Sequence, residues 1–535
     1  MSANPRETGT APSSRAGPRE WTGLGVLALP TILLGLDVTL LYLALPALSV
    51  DLQPTSTQAL WILDSYGLVI AGLLVTMGSI GDRLGRRRLL MIGTAAFGIV
   101  SIVAAFAPSA EILIAARALL GVAGATLMPS CLALITNMFT DARQRALAIG
   151  VWATTFALGM AAGPLVGGVL LESFWWGSAF LLALPIAALV LLTAPVLLPE
   201  YRAADAGRVD LLSVALSLGA ILPLVYAIKH AATHGFDTQT TVTLVASAVF
   251  TVVFVRRQRR LSDPLLDVAL FTNRASGTAL GVLLVGLVGV GGALYLVTQH
   301  LQLVEALSPL AAGAWMGPPA LAMVVAAIGA PLLARRVRPG YVVSGTLVLS
   351  TLGYVLLTQV HGPNSIGLLV SGFALVYLGF GSVGALGSDL VVGTTPAHRA
   401  GSAAAMSETV QELGVAMGVA MLGSLTTLVY RNQMRVTAPT EGGPGGAAPA
   451  VSESLAGATS TPQVPPALLS QAKEAFTAGL NISAAVTGAA ILALATMAAV
   501  VLRQIPPTGR SVPAEPSAPA PSTRGTGHAD FSSGS

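Results

Sequence analysis

The sequence predicts an all-α integral membrane protein with fourteen membrane-spanning helices. Of 535 residues, 54% are hydrophobic and only 10% are charged, against about 25% charged in soluble domains. The mean hydropathy is +0.76. The apolar residues gather into runs of about 20, the length that crosses a bilayer core as a helix. Helices follow because lipid offers no partner to an open backbone N–H or C=O. A chain so poor in charge cannot cover a water-facing surface, so a soluble enzyme is disfavoured. The formal charge of +4 is small for this length and points to no nucleic acid.

Along the chain, residues 1–21 are a polar N-tail with Arg6, Arg15 and Arg19, and resemble no cleaved signal peptide. Spans follow near 22–46, 58–80, 88–107, 110–136, 145–170 and 177–198, read as an N-terminal six-helix bundle over 22–198. Runs near 209–230 and 239–255 are read as two inserted helices within 199–275. Runs near 276–300, 311–334, 341–360, 365–390, 400–430 and 480–502 form a C-terminal six-helix bundle over 276–503. The Gly/Pro/Ala-rich 436–468 stretch, within 431–479, reads as a flexible outer loop. The Pro/Ser/Gly-rich 504–535 stretch reads as a disordered tail.

Basic residues predict the sidedness. With the N-terminus inside, most Arg fall in inner loops and tails. Only Lys229, Arg431, Arg435 and Lys473 fall in outer loops, and Arg117 lies within a span. This pattern places both termini in the cytoplasm. The basic loops GSIGDRLGRRR at 78–88 and IGAPLLARRVRPG at 328–340 take equivalent places if the two bundles are repeats, although the second lacks the acid of Asp82.

Charges inside spans are costly and mark functional candidates. Asp37 lies in span one, Asp64 in span two, and Glu408 and Glu412 one turn apart in span thirteen. Asp389, near the end of span twelve, reads as a capping or loop charge. Burial in a low dielectric favours a neutral carboxyl, so such an acid can load a proton. A cation competing for the same acid makes an antiporter. The bland alternative is a structural ion pair, with Arg117 as the partner. Trp61, three residues before Asp64, supplies either an aromatic wall for an organic cation or an interfacial belt. In span five, Gly159, Gly163 and Gly167 recur every fourth residue, with Pro164 and Gly168 set among them. Packing explains such a stripe, and a bend at Pro164 adds a second reading. The glycines of span nine (Gly286, Gly289, Gly291 and Gly292) read as packing.

The chain shows no GxxxxGK[ST] loop, so ATP is not the expected energy source. No metal-binding cluster, cofactor motif or nucleophile constellation stands out, and the single Cys131 forms no internal disulfide. No enzymatic activity and no cofactor are expected.

These motifs resemble those of the major facilitator superfamily. Gly78, Asp82, Arg83, Gly85 and Arg86 match its signature after helix two. RALLGVAGATLMP, with Arg117, resembles the helix-four motif of proton-coupled members. GMAAGPLVGG, with Gly159, Gly163, Pro164, Gly167 and Gly168, resembles the helix-five motif of exporters. LDVTLLYLALP, with Asp37, resembles the helix-one motif of the fourteen-helix drug:proton antiporter branch. ALWILDSYGLVIAG and FWWGSAFLLALPIA resemble QacA-type quaternary-ammonium pumps.

The resemblance implies lipophilic cationic drugs exported against protons by alternating access, in a bacterial plasma membrane, by a protein that functions as a monomer. It implies Asp37, Asp64 and Glu408 as the acidic set, Arg117 as a proton-relay partner, and Asp82, Arg83 and Arg86 as a conformational latch. Some members carry an acid in helix ten; the matching AWMGPPALAMVV has Met323 there, a departure that bears on dications. The rivals are a dedicated exporter of one natural product, a non-transporting membrane sensor and a membrane-embedded enzyme.

Overall fold

A computed structural model describes residues 16–202, 210–261, 264, 266, 274–393, 400–437, 451–461, 464–505 and 507. Most of both tails and the Gly/Pro-rich centre of the long loop lie outside the described residues. Among the described residues, fourteen helices are long and apolar enough to cross a membrane. They are α1 (Pro18–Leu52), α2 (Ser56–Leu84), α3 (Arg86–Ala105), α4 (Ala110–Met138), α5 (Arg143–Ser173), α6 (Ser178–Leu197) and α7 (Leu211–His234). The rest are α8 (Thr238–Gln258), α9 (Arg274–Val304), α10 (Pro309–Ala334), α11 (Pro339–Leu357), α12 (Ile366–Val391), α13 (Ala403–Arg435) and α14 (Pro466–Gln504). No strand occurs among the described residues.

The helix ends follow from local chemistry. Pro18 opens α1, and the Gly17 N–H donates to the Glu20 carboxylate at 2.7 Å. Thr55 and Gln58 cap α2 reciprocally, at 3.2 and 2.9 Å. An even number of spans leaves the start of α1 and the end of α14 on one face of the bundle, called here the terminal face.

The long loop departs from the sequence reading. α13 continues to Arg435, α14 begins at Pro466, and a short helix, Leu455–Ser460, stands between them. Specific bonds fix its neighbourhood: Ser454 Oγ accepts from the Gly457 N–H at 3.1 Å, and Tyr430 Oη donates to the Val451 carbonyl at 2.7 Å. Local capping overrides the Gly/Ala-rich composition here, so much of 431–479 is helical rather than flexible.

Packing repeats between the two sets of six helices. α1 packs on α5 as α9 packs on α13, and α2 on α4 as α10 on α12. α3 meets α4 and α6 as α11 meets α12 and α14. The two sets meet along two seams, α2 with α13 and α5 with α10. α7 packs against α2 and α13, and α8 packs against α7. Large apolar side chains such as Ile99, Leu192, Leu321 and Val486 stay exposed in mid-helix. Lipid is the environment that such a surface requires.

The glycine stripe of α5 lies against α1. A Cβ at Gly163 would overlap the Thr39 hydroxyl, and one at Gly167 would lie 2.9 Å from Leu40 Cγ. Gly168 faces the other way, toward the Pro309 carbonyl of α10. The second set uses the same device: Gly291 meets the Val415 backbone and Gly418 meets the Val288 carbonyl.

Asp210 caps α7, accepting from the Ser213 N–H at 3.1 Å and pairing with Arg257 of α8 at 2.9 Å. Burial works to raise this carboxyl, but hydrogen bonds from Arg257 and Ser213 outweigh it and hold it below its ordinary value of 3.8. A depressed carboxylate stabilises fully above its unfolded value, and that contribution is lost as pH falls through the lower folded value. Asp210→Ala is expected to loosen the α7–α8 hairpin by about 1 kcal/mol at neutral pH. Hydrogen exchange over the first turn of α7 checks this, and the variant's difference from the parent should shrink only below pH 3.8.

Candidate functional site

One buried ion pair of the N-terminal set joins α4 to α1. Arg117 is 1% exposed. Its NH1 lies 2.7 Å from Asp37 Oδ2 on α1, and its Nε donates to the Ile62 carbonyl of α2 at 3.1 Å. The guanidinium carbon also stands 4.4 Å from the Tyr66 ring centroid. A planar fork that spans a carboxylate, a carbonyl and a ring joins three helices through one side chain. The sequence offered Arg117 as a partner for either acid, and the structure pairs it with Asp37.

Asp64 has a different partner. Lys229 Nζ lies 2.8 Å from Asp64 Oδ1, and the two residues are 165 positions apart. The pair is enclosed: Asp64 is 2% exposed and Lys229 is 1% exposed. The ammonium also stands 3.8 Å from the centroid of the Trp61 ring, so the indole forms one wall of this charged pair. This corrects the assignment of Lys229 to an outer loop. α7 runs on to His234, and Lys229 turns inward toward α2 rather than outward to water. One turn away on the same seam, Leu68, Val225, Ala416 and Ala420 form a small apolar cluster flanked by Trp61, Leu413 and Met417. That cluster keeps the pair dry.

Glu408 and Glu412 lie on α13, across the seam from α2. A Cβ at Gly67 would lie 4.0 Å from Glu412 Oε2, so this carboxyl sits beside the α2 backbone. Neither glutamate forms an ion pair among the described residues. Asp64 Oδ2, Tyr66 Oη and Thr409 Oγ1 are buried with no hydrogen-bond partner among the described residues. Asp389 is exposed near the end of α12.

A cavity of about 330 Å³ lies in the half of the molecule nearest the terminal face. Gly72 and Val75 of α2, Ser217 of α7, Leu280 and Leu284 of α9, and Leu413 of α13 help line it. Its size suits a drug-sized molecule, and its walls are mainly apolar. Toward the opposite face the two sets of helices are tied. Gln299 Nε2 donates to the Tyr42 carbonyl at 3.0 Å, and Ser56 Oγ donates to the Glu453 carbonyl at 3.0 Å.

The loop after α2 is held at the terminal face. Arg86 NH2 lies 2.6 Å from Asp82 Oδ1, and Gly85 between them takes a φ of 109°. That angle favours glycine. A Cβ at Gly78 would lie 3.9 Å from Pro129 Cβ of α4. Glu200, beyond the end of α6, accepts from the Arg87 N–H at 3.1 Å, and the Arg86 N–H donates to the Tyr201 carbonyl at 2.9 Å. Reading the sequence missed Glu200 and Lys229. The signal for Lys229 was a lone lysine close to an apolar run. Glu200 gave none, because its partners are fixed by how α6 returns to the α2–α3 turn.

Residues 27–419 match the sequence profile of the Major Facilitator Superfamily. The chain is 41% identical over 503 residues to the multidrug efflux pump LfrA of Mycolicibacterium smegmatis, covering 93% of this chain and 99% of that protein. It is 34% identical over 499 residues to the methyl viologen resistance protein SmvA of Salmonella typhimurium, covering 89% and 97%. Its fold is similar to an inward-facing bacterial homologue of the human lysosomal transporter Spinster. That match has a TM-score of 0.64 and 16% identity, over 93% of this chain and all of the other.

Proposed function

The chain belongs to the Major Facilitator Superfamily, and from that premise we propose that it is a proton-coupled multidrug antiporter that exports lipophilic cations by alternating access. The observation that carries this reading is the set of four intramembrane acids, of which Asp37 and Asp64 have ion-pair partners while Glu408 and Glu412 have none among the described residues; the apolar cavity of about 330 Å³ shares α2 and α13 with three of them. Similarity to a multidrug efflux pump and to a methyl viologen resistance protein supports it.

The acids divide the labour by their partners. Asp37 has Arg117 and Asp64 has Lys229. Glu408 and Glu412 have no such cation among the described residues, so a proton neutralises them without displacing a protein cation. A lipophilic cation enters the cavity from the terminal face, which the basic-residue pattern assigns to the cytoplasm. Its apolar body lies on the walls while its charge is balanced by the intramembrane acids. A proton arriving from the other side replaces the cation and allows the empty carrier to return. Each proton entering is worth about 2.3 kcal/mol per 100 mV.

The bundles 22–198 and 276–503 rock against each other along the two seams. The helix-five motif (Gly159, Gly163, Pro164, Gly167 and Gly168) serves one seam, and the Asp82, Arg83 and Arg86 latch steadies the cytoplasmic end. The helices within 199–275 are the inserted pair. The protein acts as a monomer in a bacterial plasma membrane.

Ethidium efflux into energised inverted vesicles tests this. The parent is expected to move ethidium in a protonophore-sensitive way. Glu412→Gln, which keeps the shape and removes the titratable group, is expected to fall to the protonophore-treated level while remaining in the membrane. Transport of one natural product alone would favour a dedicated exporter instead. Unchanged transport by Glu412→Gln would remove that residue from the proton path.

A further inference from the structure

Lys229 is chemically out of place. It comes from α7, one of the two helices outside the duplicated sets, yet it is buried against α2. A buried ion pair is seldom worth more to stability than apolar residues of the same volume. Here the ammonium meets both elements of an organic-cation site, a carboxylate at 2.8 Å and an indole face at 3.8 Å. Carboxylate plus aromatic wall is how proteins bind ammonium ligands. Asp64 Oδ2 remains without a hydrogen-bond partner among the described residues, so Lys229 satisfies only one edge of the carboxylate.

We propose that Lys229 is a tethered ammonium occupying the Asp64–Trp61 cation site, so that a cationic substrate binds there only by displacing it. This inference rests on the exporter reading and adds a regulator to it. The substrate class follows from the site: a monocation bearing an ammonium or similar soft charge, with apolar groups for the neighbouring seam. The four-carbon lysine stem can swing aside without unfolding α7. The site stays near neutral in both arrangements, since one cation replaces another. When the substrate leaves, Lys229 returns and Asp64 is not left as a bare charge in a dry seam.

The test is binding of tetraphenylphosphonium and ethidium to the full-length protein in nanodiscs, at alkaline pH where a proton competes least for Asp64. Lys229→Gln keeps a hydrogen-bond donor and removes the charge. It is expected to bind both probes at least about tenfold more tightly than the parent, a change of about 1.4 kcal/mol. Adding Asp64→Asn is expected to abolish that gain. Equal or weaker binding by folded Lys229→Gln overturns the inference, and so does a gain that survives Asp64→Asn. Should Lys229→Gln fail to reach the membrane, Lys229→Arg decides. Its guanidinium can grip the carboxylate with two donors, so probe binding should weaken several-fold; unchanged binding overturns the inference. The exporter reading fails separately, if the parent moves neither probe in vesicles, because the affinity comparison needs no transport.

Discussion

Arg117→Met is expected to destabilise the protein by about 3–5 kcal/mol, the cost of leaving one member of a buried ion pair alone. The guanidinium is almost wholly enclosed, and the Asp37 side chain is 11% exposed, so little water can take over the role of Arg117. The loss extends beyond charge. The Ile62 carbonyl would lose a donor at 3.1 Å, and the Tyr66 ring would lose the cation above it. Thermal unfolding of purified protein should show a large drop in Tm, with proton-driven efflux lost. Arg117→Lys keeps the charge but not the fork, and should fall between the two. Adding Asp37→Asn to Arg117→Met should recover much of the stability while leaving transport absent. That split separates the structural work of the pair from its work in coupling. Recovery of transport as well would show that Asp37 and Arg117 serve packing alone.

Gly163→Leu should disable the protein by a different route. α1 and α5 approach so closely that the Thr39 hydroxyl donates to the Met160 carbonyl across the interface at 3.1 Å. A side chain at 163 would occupy the place of that hydroxyl. Overpacking of this kind costs about 1–3 kcal/mol. Here it also pushes α5 away from α1, and α5 carries the seam with α10. Efflux should be lost even where membrane levels hold. Gly150→Leu, on the same helix with nothing within 4 Å of its Cβ position, is the control and should transport like the parent. Equal damage from both would place the effect in helix propensity rather than in packing.

The acids were easy to find and their partners were not. Asp37 and Asp64 stand out in sequence because an ionisable residue in an apolar run is rare and costly. Nothing local says that Asp37 takes Arg117, 80 residues on, while Asp64 takes Lys229, 165 residues on. Counting basic residues by loop worked against Lys229. The rule treats a lysine near a helix end as a marker of sidedness, whereas this one turns inward to an acid. Likewise the Gly/Ala-rich stretch after α13 has the composition of a linker. Caps and a tyrosine hydrogen bond make part of it a helix.

The sequence by itself determined the fourteen spans, the family and the identity of the intramembrane acids, because lipid imposes length, hydrophobicity and the cost of charge on each segment separately. Only the tertiary structure decided which cation balances which acid and where α7 inserts. These pairings and the position of the cavity in the half near the terminal face depend on helix pairs far apart in the chain, and on packing surfaces that a single segment does not encode.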